Sequence, residues 1–147
     1  MDLKGKNCLV TGGSRGIGRV IAEHFASLGA NVAITYSSSS EAAKDAVKAI
    51  EGHGVNGKEY QADAINFSKA EEVIASVVDE WGSLDVLVNN AGITRDNLIL
   101  RMNEQQWDDV IALRAQFGFK RRLQRGCGFG HMPAILFVDA LQKTGAE

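Results

Sequence analysis

Apolar and polar positions in the first 113 residues alternate between two spacings. Asn7–Thr11 (NCLVT) is a short apolar run ending at glycines, which reads as a buried strand. From Ile17 the spacing changes to that of a helix: Ile17, Val20, Ile21, Phe25 and Leu28 share one face, and Gly29 ends it. Asn31–Tyr36 (NVAITY) returns to strand character. Ser38 with Glu41 forms a capping box that opens a second helix, its inner face Ala43, Ala46, Val47 and Ile50, closed by Gly52 or Gly54. Gly57–Ala62 is a weaker third strand. Ser68 with Glu71 is a second capping box, and Ile74, Val77, Val78 and Trp81 form the apolar face of a third helix ending at Gly82. Leu84–Asn89 (LDVLVN) is a fourth strand. Asn103, with Gln106 three residues on, caps a fourth helix carrying Trp107, Val110 and Ile111.

Strands separated by single helices imply a parallel sheet covered on both faces, joined by right-handed crossovers. The fold class expected is therefore α/β, a Rossmann-type doubly wound sheet in the order 3-2-1-4. At this pace a six-stranded sheet needs roughly 170 residues. The 147 present predict a sheet truncated after the fourth βα unit.

The chemistry gathers at the strand ends. Thr11-Gly12-Gly13-Ser14-Arg15-Gly16-Ile17-Gly18 lies where the first strand turns into the first helix. A pyrophosphate held there needs a tight turn, close backbone approach and helical N–H groups aimed at it. Glycines 12, 16 and 18 suit that need, in the spacing G-x-x-x-G-x-G rather than G-x-G-x-x-G. The second strand ends Tyr36-Ser37-Ser38 without the acid that holds an NAD ribose, and Arg15 stands ready for a 2′-phosphate. Both features favour NADP(H). Asn89-Asn90-Ala91-Gly92 follows the fourth strand at the point where the strand order reverses, a place for amides to bridge backbone groups or meet a ribose or nicotinamide. Asp63, just past the third strand, is placed to accept from an adenine amine.

TGGSRGIG, the region of Asp63 and VNNAG together resemble the short-chain dehydrogenase/reductase family. The run Gly92–Met102 (GITRDNLILRM) is similar to its 3-oxoacyl-[acyl-carrier-protein] reductases. The resemblance covers residues 1 to about 113. It implies a cytoplasmic subunit, homo-oligomeric as is usual in the family, that uses NADPH to reduce a 3-oxoacyl thioester on acyl carrier protein in fatty-acid synthesis. It also implies that Gly12, Gly13, Ser14, Arg15, Gly16, Ile17, Gly18, Ser37, Asp63, Ala64, Asn90, Ala91 and Gly92 line the cofactor. Family members transfer a proton from a Tyr whose pKa is lowered by a Lys, spaced Y-x-x-x-K, with a Ser and an Asn beside them. The two tyrosines here, Tyr36 and Tyr60, are followed four residues on by Ser40 and Ala64. Arg114 occupies the place of the catalytic Asn, so the expectation is a chain with no catalytic residues of its own. Completion by a partner chain and a non-catalytic dinucleotide-binding module stay open as alternatives.

Charge sharpens the division. The net charge of -2 hides 10 basic and 16 acidic residues in 1–113 against 6 basic and 2 acidic in 114–147, where four of the six Phe also lie. Residues 1–113 read as the NADP-binding portion. Residues 114–147 read as a divergent basic tail, foreign to the fold, of the kind a reading-frame change near codon 114 produces. Its cluster Lys120, Arg121, Arg122 and Arg125 reads as a solvated face, not a nucleic-acid site, and Cys127 with His131 falls short of the four ligands of structural zinc. Ala134–Val138 (AILFV) has strand character and could add beside the fourth strand. No run approaches the ~20 apolar residues of a membrane helix. Two cysteines make no disulfide framework, which points to a reducing compartment.

Overall fold

The computed structural model describes residues 3–63, 66–91 and 134–137. Its elements run β1 (Asn7–Val10), α1 (Gly16–Ser27), β2 (Asn31–Tyr36), α2 (Ser40–Glu51), β3 (Gly57–Gln61), α3 (Phe67–Trp81), β4 (Val86–Asn89) and β5 (Ala134–Phe137). The sheet order is β3-β2-β1-β4-β5, and every pairing is parallel. β5 joins β4 in the register Val86 to Ala134 through Asn89 to Phe137, the position expected for the AILFV run. The fourth helix expected around Trp107 lies outside the described residues.

Alternation along the strands supplies both faces of the sheet. Cys8, Val10, Val32, Ile34, Val86 and Val88 face one way, into a core with Ala22, Phe25 and Ala26 of α1 and Ala43, Ala46, Val47 and Ile50 of α2. Leu9, Ala33 and Leu87, the residues between, face the other way against Val73, Ile74 and Val77 of α3. Leu9 and Ile34 are almost wholly buried, each worth about 1.5–3 kcal/mol of apolar transfer. Helices on both faces confirm the doubly wound reading.

The ends of elements correct the sequence reading in detail. α2 is capped by Ser39, not Ser38: the Ser39 hydroxyl accepts from Ala42 N–H at 3.3 Å. α3 is capped by Asn66, whose Oδ1 accepts from Lys69 N–H at 3.2 Å, so Ser68 falls inside the first turn. Serine capping patterns matched at both places, but the residue whose extended backbone directs its oxygen at the third N–H onward wins. β4 begins at Val86, two residues later than expected; just before it Asp85 donates its N–H to the Asn7 carbonyl at 2.8 Å while its carboxylate takes the Asn7 N–H at 3.0 Å. The glycine stops hold. Gly29 (φ +85) donates to Ala26 and Ala30 to Phe25, a Schellman closure of α1, and Gly82 (φ +81) closes α3.

Candidate functional site

Parallel pairing brings the C-terminal ends of β1, β2 and β4 to one edge of the sheet, and the glycine turn lies across them. Thr11 is its hub. Its N–H and its hydroxyl both donate to the Val88 carbonyl, at 3.0 and 3.3 Å, while that hydroxyl accepts from Asn90 N–H and Ala91 N–H, each at 3.0 Å. Asn90 returns the bond: its Nδ2 donates to the carbonyls of Thr11 at 3.1 Å and Gly12 at 3.3 Å. Asn90 is thus spent on the protein, bridging β4 to the turn, and is not aimed at a ligand through that amide nitrogen.

Three glycines are needed for different reasons. Gly12 has φ +66, and an added Cβ would lie 3.1 Å from Ala91 Cα. A Cβ on Gly18 would lie 2.3 Å from Asn90 Nδ2 and 2.4 Å from the Gly12 carbonyl, so only glycine lets α1 approach the turn. Gly16 has φ +57 with open space where its Cβ would be, so conformation alone selects it. Gly13, read simply as part of the motif, proves a packing glycine: its Cβ would strike Ile34 at 2.5 Å.

The start of α1 has no side-chain cap. Arg15 occupies the cap with extended backbone (φ -155, ψ 171) and its side chain makes no capping bond, and the first turn holds no acid. Helix N–H groups left so carry the positive end of the macrodipole. Arg15 is exposed, Ser14 is buried, and Ile17, also exposed, stands beside the opening.

Ser37 is exposed past the end of β2, and its carbonyl accepts from Gln61 Nε2 at 3.2 Å. Asp63 is exposed beyond β3, with its carbonyl accepting from Asn66 N–H at 2.9 Å. The structure therefore brings residues 12–18, Asn90 and Ala91 together, with Ser37 and Asp63 at the neighbouring strand ends. Ala64 and Gly92 lie outside the described residues. Sequence reasoning passed over Thr11 as an element of the turn's geometry and over Thr35 entirely. A hydroxyl residue at the end of an otherwise apolar buried strand was the available signal.

The opposite edge is a polar clamp. Asn7, buried, donates through Nδ2 to the Trp81 carbonyl at 3.3 Å and to Ser83 Oγ at 3.1 Å, and accepts from Asn31 Nδ2 at 2.9 Å. Asn31 in turn accepts from Asn56 N–H at 3.1 Å. Burial raises the Asp85 carboxyl, but the Asn7 N–H, Lys6 at 3.1 Å and Ser83 outweigh it and hold it below the ordinary value. Burial, with Asp85 adding to it and Lys6 opposing, pushes the Cys8 thiol up to about 12. Burial and Glu80 likewise push the Tyr60 hydroxyl up to about 12. Among the described residues, no helix is long and apolar enough to cross a membrane, and no group of three or more His, Cys, Asp or Glu could hold a metal.

Residues 6–118 match the model of the short chain dehydrogenase family. The chain is 54% identical over 106 residues to the 3-oxoacyl-[acyl-carrier-protein] reductase FabG of Staphylococcus aureus strain Mu50, covering 72% of this chain and 43% of that one. The corresponding Vibrio cholerae protein is 45% identical over 146 residues, covering 98% of this chain and 58% of that one, an alignment that reaches into residues 114–147. A short-chain dehydrogenase from Burkholderia cenocepacia, solved in complex with NADP, superposes with a TM-score of 0.84 at 37% identity, covering 93% of this chain and 56% of its own. The chain spans about half the length of the relatives it matches.

Proposed function

Because the chain belongs to the short-chain dehydrogenase family, we propose that it is the NADP(H)-binding N-terminal portion of a reductase resembling the 3-oxoacyl-[acyl-carrier-protein] reductases, inactive alone. The observation that carries the cofactor reading is the uncapped start of α1 behind a turn that tolerates only glycine at 18. The N–H groups there, with Ser14, Gly16 and Ile17, would take the pyrophosphate. Arg15 would take the adenosine 2′-phosphate, Asp63 the adenine amine, and Asn90 and Ala91 would border a ribose or the nicotinamide, while the family resemblance adds Ser37, Ala64 and Gly92 to the lining. When bound, the dinucleotide supplies the hydride. The chain's own contribution is to hold and orient it.

Neither tyrosine of the sequence, Tyr36 or Tyr60, carries the Lys four residues on that marks the family's proton donor. Tyr60 has its hydroxyl pushed up to about 12, away from the range of a useful general acid. Its ring packs against the α3 layer, with Val78 and Trp81. Residues 114–147, into which the Vibrio cholerae alignment reaches, are read as a divergent segment, and among the described residues they contribute β5.

Titration with NADPH and NADH tests the reading. NADPH should bind more tightly, and Arg15→Ala should remove most of the preference, roughly 1.5–3 kcal/mol for a charge-assisted phosphate contact. Equal affinity of the unaltered chain for both cofactors sinks the assignment. Turnover of a 3-oxoacyl thioester should stay near background, since general acid catalysis alone supplies about 10²–10⁴-fold. Robust thioester-dependent NADPH oxidation by the purified chain refutes inactivity and favours completion by a partner or by the tail.

A further inference from the structure

The glycine turn is held from beneath by one side chain that no motif includes. Thr35, the fifth residue of β2, is buried. Its Oγ1 accepts from the Gly12 N–H at 3.1 Å, and its carbonyl accepts from the Gly13 N–H at 3.0 Å. The neighbouring Ile34 lies where Gly13 would carry a Cβ, 2.5 Å away, so residues 34 and 35 form the floor on which the turn rests. On the other side, the Gly12 carbonyl accepts from Asn90 at 3.3 Å. The Gly12 residue is therefore gripped at its N–H by β2 and at its carbonyl by the loop after β4, while its φ of +66 leaves it intrinsically free to swing. With the Gly12 and Gly13 N–H groups turned inward to Thr35, the anion is left to the N–H groups at the start of α1.

We propose that Thr35 is a positioning residue for dinucleotide binding, its hydroxyl fixing the Gly12 peptide so that the start of α1 faces the pyrophosphate. This rests on the NADP(H) reading above. Valine keeps the β-branched shape of threonine but removes the acceptor, leaving the Gly12 N–H to turn toward water or the ligand.

The experiment measures NADP+, NAD+ and adenosine 2′-monophosphate binding to the full chain and to Thr35→Val and Thr35→Ser. Thr35→Val should weaken NADP+ and NAD+ alike by about tenfold, one net hydrogen bond. It should leave adenosine 2′-monophosphate, which lacks a pyrophosphate, unchanged, and Thr35→Ser should restore NADP+ to within about twofold of the parent. Unchanged NADP+ affinity in Thr35→Val, equal weakening by Thr35→Ser, or loss of the monophosphate overturns the proposal. A parent chain that binds no NADP+ instead overturns the cofactor reading, and the positioning role falls with it. Hydrogen exchange on the unaltered chain supplies a test that needs no variant to fold: the Gly12 amide should be protected as Gly13 is, and free exchange at Gly12 overturns the proposal.

Discussion

Gly18→Ala is the sharpest probe of the turn because the obstruction is backbone as well as side chain. The new Cβ would lie 2.4 Å from the Gly12 carbonyl oxygen, 3.0 Å from its carbon and 2.3 Å from Asn90 Nδ2. Ordinary contact begins at 3.4 Å, so the oxygen and the nitrogen would each have to retreat by about 1 Å, and a carbonyl in a turn fixed from two sides cannot yield so far. Asn90 must therefore leave, and with it the bonds to the Thr11 and Gly12 carbonyls. Each lost bond costs about 1 kcal/mol net, and overpacking a tight site about 1–3 kcal/mol. The better helix propensity of alanine returns at most about 1 kcal/mol. The expected net loss is about 2–4 kcal/mol in urea unfolding followed by circular dichroism. Gly16→Ala is the internal standard: no atom lies within 4 Å of its Cβ, so only the left-handed φ of +57 is penalised, about 1–2 kcal/mol. A Gly18→Ala chain within about 0.5 kcal/mol of the parent, or less affected than Gly16→Ala, would refute the close-approach argument.

Other consequences are equally open to measurement. The Asp85 carboxyl is held below its ordinary value, so its ionised form stabilises the fold fully above about pH 4–5, and that contribution fades as pH falls through the native value. The stability gap between the parent and Asp85→Asn should therefore narrow between pH 7 and pH 3.5; a gap that stays constant contradicts the clamp's electrostatic role. In a Cys127→Ser background, Cys8 should react with a disulfide reagent at pH 8 on the order of 10³-fold more slowly when folded than in urea, since its thiol is pushed up to about 12. Fast native labelling contradicts the burial of β1. Deleting residues 132–147 removes β5 and bares the outer edge of β4, so the shortened chain should associate and melt lower, whereas unchanged solubility and melting mean that the strand does not guard that edge.

Legibility followed the physics of each signal. β2 was bounded to the residue because both its ends are marked: Ala30 follows a glycine stop, and polar serines follow Tyr36. Gly29 and Gly82 were visible as helix stops because φ above zero leaves a compositional trace. The caps were not, since Ser38, Ser39 and Ser40 are chemically alike and only backbone geometry chooses among them. The glycines of the turn were legible as a ligand motif, yet their individual duties were hidden. Gly13 answers to Ile34 and Gly18 to Asn90, partners 21 and 72 positions away, which no local pattern encodes. Of the two roles the sequence left open for Asn90, its amide nitrogen takes that of bridging backbone groups. The tail's strand and a place for it beside the fourth strand were readable from five residues of β-rich composition, but its register came only from the sheet.

The place of β1 in the sheet governs the order in which the molecule can be assembled. Among the described strands β1 comes earliest in the chain yet lies inside the sheet, and its two neighbours arrive at very different times. Asn7 pairs with Asn31, but Cys8 must wait for Val86. Until β4 emerges, one side of β1 offers Cys8, Leu9 and Val10 with an unpaired ladder edge, and Thr11 lacks the Val88 and Asn90 groups that shape the turn. Non-local parallel pairing of this kind folds slowly and leaves nascent chains adhesive. On the proposed NADP(H) reading, the turn that would hold the dinucleotide takes shape late, together with closure of the β1–β4 pair, so a growing chain should gain nothing from the cofactor before about residue 90 has been made.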